Sequence, residues 1–116
     1  MDERLTLDEA EALAQRVLRA NGCDGANARA VAANMVRAER DGALSHGLFR
    51  LPGHVALLRA GVVNGRAVPS LTHTTPSALI ADADLGFAPR TYPLALPALI
   101  EAARAQGMAA LGIRRC

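Results

Sequence analysis

Between Asp41 and His54 the chain reads Asp41-Gly42-Ala43-Leu44-Ser45-His46-Gly47-Leu48-Phe49-Arg50-Leu51-Pro52-Gly53-His54. A hydroxyl, two imidazoles and a guanidinium stand there among residues that punctuate the backbone, and no other stretch is as dense in reactive groups. An imidazole with a pKa near 6.5 donates or accepts a proton at neutral pH. A guanidinium holds a carboxylate with two parallel hydrogen bonds and keeps its charge. On a continuous helix His46, Arg50 and His54 fall at i, i+4 and i+8 and project from one face. That face would set a proton-transfer group beside a fixed positive charge.

Each of these residues also has a plainer reading. Ser45 suits the N-cap of a helix, and no Gly-x-Ser-x-Gly context marks it as a nucleophile. His46 suits a histidine that steadies an exposed turn, and Arg50 a solvated helix residue whose function is conditional on His46. His54 is balanced between pocket wall and surface. Glu39 and Asp41 close an arginine-rich segment and read as a solvated ion-pair face. His73, in a run of alternating threonines, reads as exposed. Cys23 and Cys116 form neither a disulfide framework nor a Cys-x-x-Cys metal pair, so both are expected as free thiols and no metal site is expected.

The chain has 116 residues, about one small domain, with a hydrophobic fraction of 51% and a net charge of +2. Much of the apolar content is alanine, and the aromatics are Phe49, Phe87 and Tyr92 alone, which favours close-packed helices over an aromatic-filled core. All 13 basic residues are arginines, scattered among acidic ones rather than gathered in a stripe, so nucleic acid is a poor partner. No apolar run reaches membrane-spanning length, and Met1-Asp2-Glu3-Arg4 is unlike a signal peptide, which makes a cytoplasmic address the default.

The elements that must position the reactive stretch follow from local signals. Thr6-Leu7-Asp8-Glu9 is a capping box opening a helix with Ala10, Leu13, Ala14, Val17 and Leu18 inward, ended by Gly22. A second helix buries Ala28, Val31, Ala32, Met35 and Ala38 and ends at Gly42. Pro52 breaks a continuous helix, so the segment should be a turn from Ser45 to about Arg50 and then a helix with Pro52 in its first turn, burying Val55, Leu57 and Leu58 before Gly61. Beyond Val62 the pattern predicts strands over 70–74 and 78–82, a turn through Asp84-Leu85-Gly86, and a helix over 93–106 with Leu96, Leu99, Ile100 and Ala103 buried. A strand over 108–113 completes the pattern. The fold class is α+β, with a helical subdomain over residues 1–65 carrying the Ser-His-Gly motif and the start of an α/β domain over 66–116. A strand directly after a helix at the end of the chain is expected to lack its partners, which makes the chain an N-terminal part of a longer protein.

The stretch Asp41 to Pro52, above all Ser45-His46-Gly47 followed by Arg50-Leu51-Pro52, resembles the signature of the second-type malate/L-lactate dehydrogenase family. That non-Rossmann family also includes ureidoglycolate and sulfolactate dehydrogenases and reductases of cyclic imino acids. The likeness continues through the paired N-terminal helices, the helix end at Arg59-Ala60-Gly61, the Asp-containing strand and glycine turn from Asp82 to Gly86, and the helix ending Ala103 to Gly107. Two positions depart: His54 is commonly tyrosine in the family, and Leu44 stands where an acidic residue often precedes Ser-His-Gly.

The resemblance implies an oxidoreductase moving a hydride between NAD or NADP and a small 2-hydroxy or 2-oxo acid. Such a reduction needs a proton donor at the carbonyl oxygen and a cation at the carboxylate. His46 and Ser45 take the catalytic part, Ser45 either hydrogen-bonding the substrate or orienting His46 in a relay completed by an acid beyond this chain, while Arg50 and His54 bind substrate. Most cofactor-binding residues would lie beyond Cys116, and the complete protein would be a homodimer. The competing reading is a non-enzymatic truncated module that associates with another chain.

Overall fold

α1 (Leu7–Ala20) begins where Thr6 and Glu9 exchange hydrogen bonds: the Thr6 hydroxyl accepts from the Glu9 amide at 3.1 Å and the Glu9 carboxylate accepts from the Thr6 amide at 2.8 Å. Its inward stripe is Ala10, Ala14 and Leu18. Leu13, expected inside, lies at the exposed margin because the stripe follows the i, i+4 row alone. Gly22 turns the chain with φ +103°, a left-handed conformation that glycine adopts without strain. α2 (Gly25–Arg40) starts with the Asp24 carboxylate accepting the Asn27 amide at 2.9 Å, which together with the Asn27 side chain holds that carboxyl below the usual range. The structure, a computed structural model, describes residues 2–116.

The core between α1 and α2 consists of Ala14, Leu18, Cys23, Ala28, Val31, Ala32 and Met35, joined by Phe87 from farther along the chain. Alanines at 0% exposure on both helices let the backbones approach closely, so little side-chain volume suffices to exclude water. Leu48, Leu51, Leu58 and Val63 pack partly buried against this cluster and lay the reactive segment and α3 (Leu51–Arg59) over it. Pro52 sits in the first turn of α3 as expected; Leu57, expected inside, is exposed, and the helix has no fully buried residue.

The connector from Val62 to Pro69 is stitched on two sides. The Gly65 carbonyl accepts the Asp24 amide at 2.9 Å, and the buried Asn27 side chain donates to the Ala67 carbonyl at 3.0 Å. On the other side the Asn64 amide donates to the Leu85 carbonyl at 2.8 Å and the Val68 amide to the Asp84 carboxylate at 3.1 Å. The connector therefore ties the start of α2 to the turn that leads into α4.

β1 (Ser70–Thr75) and β2 (Ala78–Asp82) form an antiparallel hairpin, with an irregularity between His73 and Thr75, and β2 pairs in parallel with β3 (Ala110–Arg114). The parallel pair is joined through α4 (Ala88–Gln106), so the chain contains one whole β–α–β unit. The expectation that β3 lacks its partners is thus corrected: β2 is its partner on one side, Leu79 opposite Leu111 and Ala81 opposite Ile113. α4 begins five residues before the expected Pro93, and its buried residues are Thr91, Ala95 and Ala102 rather than the larger aliphatics; Ile100 is exposed. Pro93 and Pro97 are tolerated inside it because both face solvent, where water can satisfy the carbonyls they leave unpaired. Gly107 ends the helix with φ +83°.

Candidate active site

The reactive stretch folds as two short 3₁₀ turns, Leu44–His46 and Leu48–Arg50, hinged at Gly47 and running directly into α3. The first turn opens one residue earlier than expected, so Ala43 occupies the cap position and Ser45 lies within the turn. Ser45 is therefore not an N-cap. Its Oγ instead lies 3.0 Å from His46 Nδ1, leaving Nε2 as the ring nitrogen free for a ligand. Arg50 Nε donates to the Ser45 carbonyl at 2.8 Å, and the Arg50 amide to the Gly47 carbonyl at 3.0 Å. Serine, histidine and arginine are thus braced against one another across the two turns.

Although the helix is broken at Gly47, His46, Arg50 and His54 line one cleft of about 230 Å³, closed by Asn34 and Met35 from α2 and by Pro89 from α4. The break rotates the first turn relative to α3 without separating the three side chains. His54 stacks on Phe87 with ring centroids 4.6 Å apart and planes 9° from parallel. Burial and then the Arg50 charge push its pKa down and so favour the neutral ring, opposed by a hydrogen bond to the Arg50 backbone. Arg50 is the only fixed charge among the described lining residues, which suits an anion. A larger groove of about 550 Å³ adjoins the cleft at Asn34 and Pro89 and is lined by Arg37, Tyr92 and Ile113.

Other candidates stand apart. His73 is exposed on β1, as its sequence context suggested. Cys23 is buried and Cys116 exposed, both free; burial and then the Asp24 charge push the Cys23 thiol up, the reverse of what a nucleophile needs. Among the described residues no group of three His, Cys, Asp or Glu side chains converges in a way that could hold a metal ion.

Asn34, Met35 and Pro89 were invisible as cleft residues in the sequence because they arrive from other elements. Glu39 does not belong to the solvated ion-pair face that the sequence leads one to expect. Asp41 does pair with Arg40, at 2.8 Å, but Glu39 turns inward and its carboxylate accepts the Leu48 amide at 2.8 Å. Nothing in the spacing of nine residues signals that contact.

The family model for malate/L-lactate dehydrogenase matches residues 5–116. The chain belongs to that family. A Δ1-pyrroline-2-carboxylate/Δ1-piperideine-2-carboxylate reductase of Pseudomonas aeruginosa is 45% identical over 113 residues, covering 97% of this chain and 34% of the relative. The crystal structure of the Δ1-piperideine-2-carboxylate reductase from Pseudomonas syringae superposes with a TM-score of 0.91 at 34% identity, covering 97% of this chain and 34% of that one. Malate dehydrogenase from Pyrococcus horikoshii gives 0.84 at 27% identity, over 97% and 32% respectively. The chain thus spans about a third of the length of the relatives it matches, and its α+β fold is the N-terminal part of theirs.

Proposed function

We propose that this member of the malate/L-lactate dehydrogenase family serves the reduction of a small 2-imino or 2-oxo acid by a reduced nicotinamide, with a cyclic imino acid as the leading substrate. The observation that carries the reading is the convergence of His46, Arg50 and His54 on a cleft whose one fixed charge is positive. The cleft volume of about 230 Å³ suits a five- or six-membered ring bearing a carboxylate. The reductases similar to this chain act on such rings by their names.

In this reading the Arg50 guanidinium, with Nε held by Ser45, presents its remaining N–H groups to the substrate carboxylate. His46, its Nδ1 held by the Ser45 hydroxyl, delivers a proton from Nε2 to the imine nitrogen or carbonyl oxygen and recovers it in the reverse direction. His54, uncharged and stacked on Phe87, forms the pocket wall and leaves the carboxylate to Arg50. The nicotinamide, when bound, supplies the hydride at the carbon. The groove beside the cleft, walled by Pro89, Tyr92 and Pro93, is apolar enough for a flat ring. The starts of α1 and α2, however, are capped by the Thr6 and Asp24 side chains, and those of α3 and α4 carry Pro52 and Pro89 in the first turn, so they offer no ready cradle for a pyrophosphate. Residues 1–116 therefore fit the substrate end of such a site, with residues 66–116 as the beginning of the domain that would carry the dinucleotide.

The test is turnover by the full-length protein carrying these residues, with Δ1-pyrroline-2-carboxylate, Δ1-piperideine-2-carboxylate, pyruvate and oxaloacetate, each with NADH and NADPH. Oxidation of a reduced nicotinamide with a cyclic imino acid, lost in His46→Ala, is the expected outcome. No oxidation with any of the acids, or undiminished turnover in His46→Ala, would overturn the reading.

A further inference from the structure

Among the described residues, Glu39 has the carboxylate that hydrogen-bonds to the reactive turn, and it makes a contact unlike its neighbours'. Asp41, two residues on, is exposed and its carboxyl is held below the usual range by Arg40. Glu39, half-buried in the last turn of α2, reaches across to the Leu48 amide at 2.8 Å. Leu48 opens the helical run that passes through Arg50 into α3, so its N–H is among those that no residue of that run can satisfy. A carboxylate there both fills the orphan donor and complements the positive end of the helical run. This is a helix cap supplied by a different helix.

Gly47 is shaped by the same contact. It is the one buried residue between Asp41 and Arg50, and a Cβ placed on it would overlap the Glu39 carboxylate and its Cδ and Cγ. The absence of a side chain at Gly47 is what lets the Glu39 stem lie flat against the hinge between the two turns. Ser45, His46 and Arg50 are hydrogen-bonded to one another across this hinge, so its placement bears on all three. Against α2, whose Asn34 and Met35 form the opposite wall of the cleft, the described hydrogen bonds hold the turn by the Ala43 amide to the Ala38 carbonyl on one side of His46 and by Glu39 on the other.

We propose that Glu39 is a positioning residue for the proton-transfer group: by clamping the Gly47–Leu48 hinge to the end of α2 it sets where His46 and Arg50 stand relative to the rest of the cleft. This rests on the reading of His46 and Arg50 given above. Its positioning role is that of a hydrogen-bond acceptor, which needs an oxygen at that place, while the charge adds only the smaller complement to the helical run.

The experiment compares Glu39→Ala, Glu39→Gln, Gly47→Ala and His46→Ala in the full-length protein, each checked for folding by its thermal midpoint. Misplacing a catalytic group by about an ångström costs on the order of 100-fold, so Glu39→Ala is expected to lose about 10- to 100-fold in kcat while remaining folded. Glu39→Gln keeps a carbonyl oxygen and is expected to stay within about threefold of wild type, a rescue that general destabilisation would not produce. Gly47→Ala, which displaces the Glu39 carboxylate, should fall with Glu39→Ala and carries the test should the latter not fold. In a His46→Ala background Glu39→Ala should cost nothing further, since both act on one step. A folded Glu39→Ala or Gly47→Ala at the wild-type rate beside an inactive His46→Ala overturns the positioning role alone. So does a Glu39→Gln as slow as Glu39→Ala. An active His46→Ala overturns the functional reading and the positioning role with it.

Discussion

The α1–α2 pair and the turn from Leu44 to Arg50 adjoin each other and are built on opposite terms. In the pair, Ala14, Leu18, Ala28, Val31, Ala32 and Met35 are sealed from water, and stability comes from many small contacts that no single side chain dominates. In the turn every residue except Gly47 and Leu48 is exposed, Phe49 to 78%, and order comes from a handful of directed hydrogen bonds. The difference separates two jobs. Buried contacts decide whether the chain folds; the directed bonds decide where three polar side chains point once it has.

That separation can be broken from either side. The largest effect is expected at His46: His46→Ala should cut turnover by at least about 100-fold, the lower range for a lost general acid–base, with the denaturation midpoint unchanged. A matching loss of stability would mean that the two regions are not separable. Leu18→Ala should do the reverse and cost about 2–5 kcal/mol in chemical denaturation for a cavity in a sealed core, while activity per folded molecule is retained. Arg50→Lys keeps the charge but not the planar fork, so KM for the acid should rise about 10-fold, comparable to a lost charge-assisted hydrogen bond, with a smaller change in kcat.

The smallest effect is a pH dependence that sharpens where the boundary runs. His54 has its pKa lowered in the folded chain by burial and by Arg50, so between about 6.5, the unfolded value, and its folded pKa the unfolded chain binds the proton more readily. Stability is therefore highest above that window and falls as pH drops through it. His54→Phe retains the stack on Phe87 and removes the proton, so its urea midpoint should decline less than wild type between pH 7.5 and pH 5. Equal declines would show that His54 belongs to the exposed set.

The sealed pair was legible in the sequence because each of its signals is local: a capping box at Thr6, glycines at the helix ends and alanines at a helical period. The hairpin was legible for the same reason, and so was the likeness of Ser45-His46-Gly47 to its family. What could not be read depended on neighbours distant along the chain. α4 hid its first turn behind Pro93 and Pro97, since proline signals a break and only the solvent-facing geometry removes the objection. The larger aliphatics of α4 were expected inside, yet its fully buried positions are Thr91, Ala95 and Ala102. The site was half legible, with His46, Arg50 and His54 named by type and spacing, while Asn34, Met35, Pro89 and Glu39 reach it only through the packing of α2 and α4.

The bond from Arg50 Nε to the Ser45 carbonyl has a consequence for affinity. A free arginine side chain carries roughly 2 kcal/mol of rotamer entropy, much of which is surrendered when a ligand fixes it. Here the far end of the side chain is already tethered to its own turn before any ligand arrives. The guanidinium behaves less like a flexible tether that must be caught and more like a fixed fitting, so under the proposed function a small acid with few atoms to offer would be held without first having to immobilise the group that holds it.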